Sequence, residues 1–254
     1  MIDHPIHRRI RAGVLGISAI AWLALLSAPA AREYCSLPGT SVFWTTVDPD
    51  QLAAMAKRWG LMLTAMMSPM LIAPLYFVYL QSFSQIRAWL MGVCAMGFAM
   101  AWAAAGAVLA VGEFALKERF PGGWGPLVVI GTLALIWQAS PWKKACLNRC
   151  HRQLPLAAFG SAAYRDAFRF GFVHGFWCVG SCWLNMLMPM LLPAGHIVGM
   201  MAASALAFCE RLERGAIPAW KLRGFRTAYY YLGWIRRARA GATTTSHTPQ
   251  RVQF

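Results

Sequence analysis

Acidic side chains are scarce: nine Asp and Glu stand against 24 Lys and Arg in 254 residues, and all charged residues together make up only 13%. A soluble domain carries about twice that share of charge, so the water-soluble globular classes are excluded. The signatures of ordinary enzymes are missing as well. There is no Ser-His-Asp arrangement, no Gly-rich phosphate loop and no pair of catalytic carboxylates. Hydrolase and nucleotide chemistry therefore has no support, and no catalytic residue can be named. Cys-x2-Cys does not occur, and Cys35 has no evident external partner. Neither a disulfide framework nor the usual redox motif is present.

What the chain has in quantity is apolar surface. Hydrophobic residues reach 58%, with 12 Trp among them, and apolar runs fall at residues 13–30, 60–80, 89–111, 125–139, 167–192 and 196–208. Crossing a bilayer takes about 20 such residues. The expectation is an all-α polytopic membrane helix bundle of about six transmembrane helices, the fourth and sixth short, with short interfacial helices. The net charge of +15 then has a positional explanation. With the N-terminus inside, three Lys and Arg precede the first span, one lies in the second loop, six in the fourth and nine after the sixth, leaving five outside. Cations collect on the cytoplasmic side of membrane proteins, so both termini are expected in the cytoplasm and the expected partner is lipid, not nucleic acid.

The first run has a second reading. Arg8, Arg9 and Arg11, the apolar stretch after them and Ala28-Pro29-Ala30 also resemble a cleavable signal peptide; a retained helix is preferred. The membrane domain is then expected over residues 1–214. A basic-aromatic interfacial segment follows over 215–240, where Tyr229, Tyr230, Tyr231 and Trp234 mix with Lys and Arg, a composition suited to an anionic membrane surface. A polar, disordered tail over 241–254 completes the chain.

The chemistry concentrates in soft ligands. Met62, Met66 and Met70 recur every fourth residue on one helix face; thioethers suit Cu(I), although methionine is equally a packing residue. Pro69 and Pro74 should kink that helix and free carbonyls that the bundle must satisfy. The third span is dense in Gly and Ala and reads as a packing helix. Its Cys94 reads as a small buried apolar residue, and Glu113, Lys117, Glu118 and Arg119 beyond it as a solvated charge cluster.

Ser140-Pro141 should start a short helix, the hydroxyl capping and the proline taking the first helical position. On it Cys146 and Cys150 share a face, with His151 adjoining and Lys143, Lys144, Arg149 and Arg152 nearby. Positive neighbours favour the thiolate, the form that binds metal or attacks a disulfide. In the following apolar run His174, Cys178 and Cys182 form a stripe at spacings of four. A histidine inside a membrane span is expensive and is therefore a functional candidate.

Helix rise limits this stripe. Eight residues climb about 12 Å, whereas bonds to a soft metal are about 2.0–2.3 Å. The three residues cannot close around one ion, so one pair supplies two ligands and the rest come from Cys146, Cys150 and His151. The arrangement is either one site shared between two helices or a ladder along which an ion moves. Gly171, Gly175 and Gly180 would admit a neighbouring helix in both cases. Glu210, beside Cys209, is a candidate minor ligand, and Glu210, Arg211, Glu213 and Arg214 are expected to pair at the cytoplasmic boundary. Thiols and imidazoles in this pattern accept Cu(I) and Zn(II) alike.

These residues carry a resemblance. Ala65-Met66-Met67-Ser68-Pro69 within 59–74, Ser140-Pro141-x-Lys143-x-x-Cys146-Leu147-x-x-Cys150, Gly171-x-x-His174-Gly175-x-x-Cys178-x-Gly180-x-Cys182-Trp183 and the closing Glu210 together resemble a bacterial family of predicted metal-binding integral membrane proteins. That family is associated with copper delivery to tyrosinase-type oxidases. Two positions depart from its pattern: Ser181 stands where a cysteine precedes the last thiol, and Arg211 where a lysine follows the acidic residue. The resemblance implies copper as Cu(I), a bacterial inner-membrane location, and a non-enzymatic chaperone or delivery role toward a cuproenzyme. Two other classes would use the same residues. An accessory subunit of a larger membrane complex would pack its Trp and Ala surfaces on partners. An intramembrane thiol-disulfide oxidoreductase would exchange the thiols, although such proteins usually carry Cys-x2-Cys and an external pair.

Overall fold

The computed structural model describes residues 5–27, 49–120, 124–192, 195–213, 215–222, 224, 229, 230 and 233. Among them every regular element is helical: α1 (Pro5–Ser27), α2 (Pro49–Met67), a 3-10 turn (Ser68–Leu71), α3 (Ile72–Gln81), α4 (Arg87–Arg119), α5 (Gly125–Ala139), α6 (Pro141–Cys150), α7 (Gly160–Leu191) and α8 (His196–Arg211). The all-α expectation holds. Three stretches are long and apolar enough to cross a membrane, Pro5–Ser27, Ala53–Gln81 and Arg87–Arg119, and a fourth is added if α5 and α6, bent by 66°, form one span. The count of six goes beyond this, because α7 carries Arg165, Asp166, Arg169, His174 and Asn185 and α8 is only 16 residues long.

Two boundaries differ from the sequence expectation. α2 begins at Pro49, eleven residues before the apolar run that starts at 60, and α4 continues to Arg119, past the end of its run at 111. The longer α4 takes Glu113 with it. That side chain is 1% exposed and receives Lys117 Nζ at 2.5 Å, so the expected solvated cluster contains a buried glutamate paired with a half-buried lysine. Four residues of helix put the two on one face, and that face packs inward. Ala28-Pro29-Ala30, Cys35, Arg214, Tyr231, Trp234 and the tail over 241–254 lie outside the described residues.

Pro69 explains how α1 is tied in. Without an N–H, it cannot serve the carbonyl of Ala65 one helical turn earlier. Ser18 Oγ, on α1, donates to that carbonyl at 2.6 Å. The freed acceptor is thus satisfied by a neighbouring helix, as the apolar surroundings require.

Small residues set the central pair. A side chain at Gly171 would collide with the backbone carbonyl of Cys94, and one at Gly97 with that of Phe168. A Cβ at Gly175 would lie 2.9 Å from that of Ala101. Cys94, Phe98 and Ala101 meet Gly171, His174 and Gly175 in turn, so α4 and α7 run parallel, at backbone contact. Cys94 is fully buried in this seam, which bears out its reading as a packing residue. Trp59 fits over Gly106 and donates its indole N–H to the carbonyl of Trp102 at 3.2 Å, fastening α2 to α4. α8 returns along α7, with Gly199 against Leu192 and Pro189.

Candidate metal centre

Ser140 starts α6 in the expected manner: its Oγ accepts from the backbone N–H of Lys143 at 3.2 Å, and Pro141 occupies the first position. The bend there turns α6 onto α7. A Cβ at Gly180 would lie 2.9 Å from Cys146 Sγ, so the glycine admits the thiol to the α7 backbone. One turn later Arg149 lies over the ring of Trp177, 4.4 Å from its centroid. The end of α6 reaches His174, whose ring lies beside the backbone of Cys150. α6 therefore runs antiparallel to this stretch of α7.

That course brings together thiols from two helices. Cys150, Cys178 and Cys182 are buried and free. All three lie in one buried core, where Cys178 bears electrostatically on Cys150 and interacts with Cys182. Cys182 Sγ also donates to the carbonyl of Cys178 at 2.9 Å. Cys146 is half-buried, set against Gly180 of α7, and bears on Cys150 electrostatically. Ser181, where the family pattern has a further thiol, turns its hydroxyl to the carbonyl of Cys178 at 2.7 Å.

The two histidines are placed differently. His174 is buried between Phe98 and Phe170, with ring centroids at 6.0 and 6.2 Å. Its Nε2 accepts from Arg211 Nη2 at 3.4 Å. His151 is exposed, with Nδ1 at 2.8 Å from the carbonyl of Leu147 and Nε2 at 3.2 Å from that of Arg211. Backbone carbonyls thus occupy both of its ring nitrogens, and it links the ends of α6 and α8.

The charges near the site are arranged otherwise than expected. Glu210 pairs with Lys143 of α6, 67 residues earlier in the chain. It is 1% exposed, receives Lys143 Nζ at 2.8 Å and accepts a hydrogen bond from Gln138 Nε2. Lys143 Nζ also donates to Gln138 Oε1 at 2.6 Å. Glu213 lies 3.8 Å from Lys144. The acidic residues of the α8 end therefore meet the lysines of α6, because the two helix ends converge. Lys143 and Lys144, read from sequence as cations around Cys146, are committed to these contacts, whereas Arg149, over the Trp177 ring, bears electrostatically on Cys146 as expected.

Arg211 is the residue beside these thiols that motif reading undervalued. Its guanidinium interacts with Cys150, Cys178 and Cys182 as well as with His174. The one signal for it in the sequence was its match to a basic position beside an acidic one.

Met62, Met66 and Met70 are all buried and share one apolar core with Phe98, Trp102, Cys150, Cys178 and Cys182. The thioether face thus adjoins the thiols. Among the described residues no three His, Cys, Asp or Glu groups are placed to hold one ion. The contacts run in pairs instead, through Cys178. Paired soft sulfurs in a closed apolar setting suit Cu(I).

The sequence model of the PpoB2 family, described as a copper chaperone, matches residues 56–233. The match covers every thiol, imidazole and thioether of the site. No curated protein and no solved structure matches the chain. The chain belongs to this copper-chaperone family.

Proposed function

From that membership we propose that the protein is an integral bacterial inner-membrane chaperone that holds Cu(I) as cargo on buried thiols and delivers it to a cuproenzyme. The observation that carries this reading is that Cys150 from α6 is buried in one core with Cys178 and Cys182 from α7. Cys178 is common to both pairs. An ion held by Cys150 and Cys178 can pass to Cys178 and Cys182 by exchanging one thiolate at a time, which joins the shared site and the ladder in one arrangement. Cys146 extends the series along α6, His174 borders it, and Met62, Met66 and Met70 offer softer ligands on the adjoining face. His151 joins α6 to α8 and Glu210 balances Lys143, so both act on the frame of the site. Zn(II) prefers four closed ligands, and the paired contacts favour Cu(I) over it. No catalytic step is assigned.

The membrane arrangement proposed is six spans: α1, α2 with α3, α4, α5 with its bent continuation α6, α7 and α8. The parallel course of α4 and α7 supports it, since the third and fifth spans of an alternating bundle run the same way. The antiparallel return of α8 along α7 fits the sixth. Ser18 supplying the Ala65 carbonyl supports a retained α1, which with the cation distribution puts both termini in the cytoplasm. Residues 215–240 would then lie along the cytoplasmic surface.

The test is metal uptake by protein purified without oxygen. Wild type should take up stoichiometric Cu(I), and a variant with Cys146, Cys150, Cys178 and Cys182 all replaced by Ser should take up none, while Cys94→Ala retains uptake. No uptake by wild type, or uptake that survives the fourfold replacement, would overturn the reading.

A further inference from the structure

The stripe on α7 does not end at Cys182. Counting on in fours gives Met186 and Met190, each step rising about 6 Å along the same side of the helix. Met186 has no solvent exposure and lies in one buried core with Cys178 and Cys182, and Met190 packs against that core. Thiols thus give way to thioethers toward the C-terminal end of α7.

α8 brings a second pair of side chains to the same end. Four residues separate the two helices, and Gly195 among them has φ 74°, a backbone conformation that glycine holds without steric cost. Gly199 then sits against Pro189 and Leu192, while Arg211 reaches His174 further along. In this antiparallel register Met200 falls level with Met186 and Met190. His196, four residues before Met200, shares its helix face, and the two are 6% and 1% exposed. Met201, the next residue, is 55% exposed and points elsewhere.

His196 is the group that packing leaves unexplained. Methionine fills gaps in any core, but a buried imidazole without a partner is costly. Among the described residues no hydrogen bond and no charge bears on its ring. The residue one turn away on its own face is a thioether, a weak acceptor but a good ligand for a soft ion.

We propose that His196 and Met200 of α8, with Met186 and Met190 of α7, form a second site for a soft monovalent ion, Cu(I) or Ag(I), separate from the thiols. All four ligands are neutral, so the ion enters without releasing a proton and keeps its charge, and nothing is oxidised or reduced. Neutral ligands hold it more weakly than thiolates do. It is therefore lost on desalting, and the metal retained through purification is that of the thiols. Zn(II), which takes thiolate, imidazole and carboxylate ligands, is not held by thioethers. The site takes the same cargo as the reading above but shares no ligand with it.

The test is a titration of wild type, isotope-labelled at its methionine methyl groups, with Ag(I) under nuclear magnetic resonance. Once the thiols are filled, one further ion should shift the methyl signals of Met186, Met190 and Met200, assigned by Leu replacement, and the ring signals of His196. The signal of Met201 should stay in place, and Zn(II) should move none of the methyl signals. Met200→Leu nearly conserves volume and is tolerated by a core. That variant and His196→Gln should each weaken the further ion by about tenfold or more, a loss that even the outer groups of a metal site incur, and leave the thiol-bound ion unchanged. Absence of the further ion, or its survival in the double variant, overturns the proposal. A further ion that shifts Met62, Met66 or Met70 instead lies on the thiol face and overturns it too. Should the thiols of wild type take no ion while the signals of Met186, Met190 and Met200 still shift, the functional reading above falls and this site stands.

Discussion

The α4–α7 seam and the cluster joining α7 to α6 and α8 are built on opposite principles within a few turns of one helix. The seam has almost no side chain in it. Gly97, Gly171 and Gly175 bring two backbones together, and its lone thiol, Cys94, is simply buried. The cluster is made of long, chemically active side chains: three thiols, an imidazole, a guanidinium and a lysine–glutamate pair 2.8 Å apart. Backbone contact leaves nothing that can exchange a ligand, whereas side chains on separate helices can. The difference teaches that the cysteines of this chain are distinguished by which neighbour faces them, since burial is common to both regions.

The cluster should break most severely at its ion pair. Glu210→Gln leaves Lys143 as an uncompensated charge at a site with no solvent exposure. Removing one partner of such a pair costs about 3–5 kcal/mol, while replacing both with apolar residues of similar volume is often neutral. Glu210→Gln should thus lower unfolding stability in detergent by about that amount, and the double variant Lys143→Met with Glu210→Met should recover most of it. A single variant as stable as wild type would show that the pair is not what joins α6 to α8.

The seam should answer to bulk instead of charge. Gly171→Val drives a branched side chain against the carbonyl of Cys94; overpacking of this kind costs about 1–3 kcal/mol and at times more. The unfolding midpoint should fall, and the variant protein that remains folded should still bind Cu(I), since the thiols lie on other contacts. Loss of Cu(I) binding in folded Gly171→Val protein would mean that seam and cluster are one mechanical unit.

Local features of both regions were legible in the sequence. The cap at Ser140, the proline after it, the glycines that admit a neighbour and the fate of Cys94 all follow from neighbouring residues alone. The direction of the 66° bend did not, because it depends on which surface of α7 receives α6. Glu210 and Arg211 show the same limit more sharply. Consecutive helix positions point about 100° apart, so the acid faces Lys143 and the base faces the thiols. Their partners lie 67 residues away or 33 and 61 away in the chain, a distance over which spacing rules say nothing. The membrane count was legible only in part, since the residues that make α7 chemically useful also make it look less like a span.

The smallest expected effect concerns α1, which belongs to neither region and tests whether the bundle needs it. Ser18 spends its hydroxyl on the carbonyl that Pro69 leaves free, at 2.6 Å. Interhelical hydrogen bonds between membrane helices are worth on average only about 0.6 kcal/mol, and up to about 1.7. Ser18→Ala should therefore destabilise the protein by about 1 kcal/mol, and the loss should vanish when Pro69 is replaced by Ala, because the restored N–H then serves Ala65 from within the helix. Non-additivity of the two substitutions, read from unfolding in detergent, is the decisive observation. Purely additive effects would mean that Ser18 and Pro69 act independently, and the argument for a retained first helix would lose its structural support.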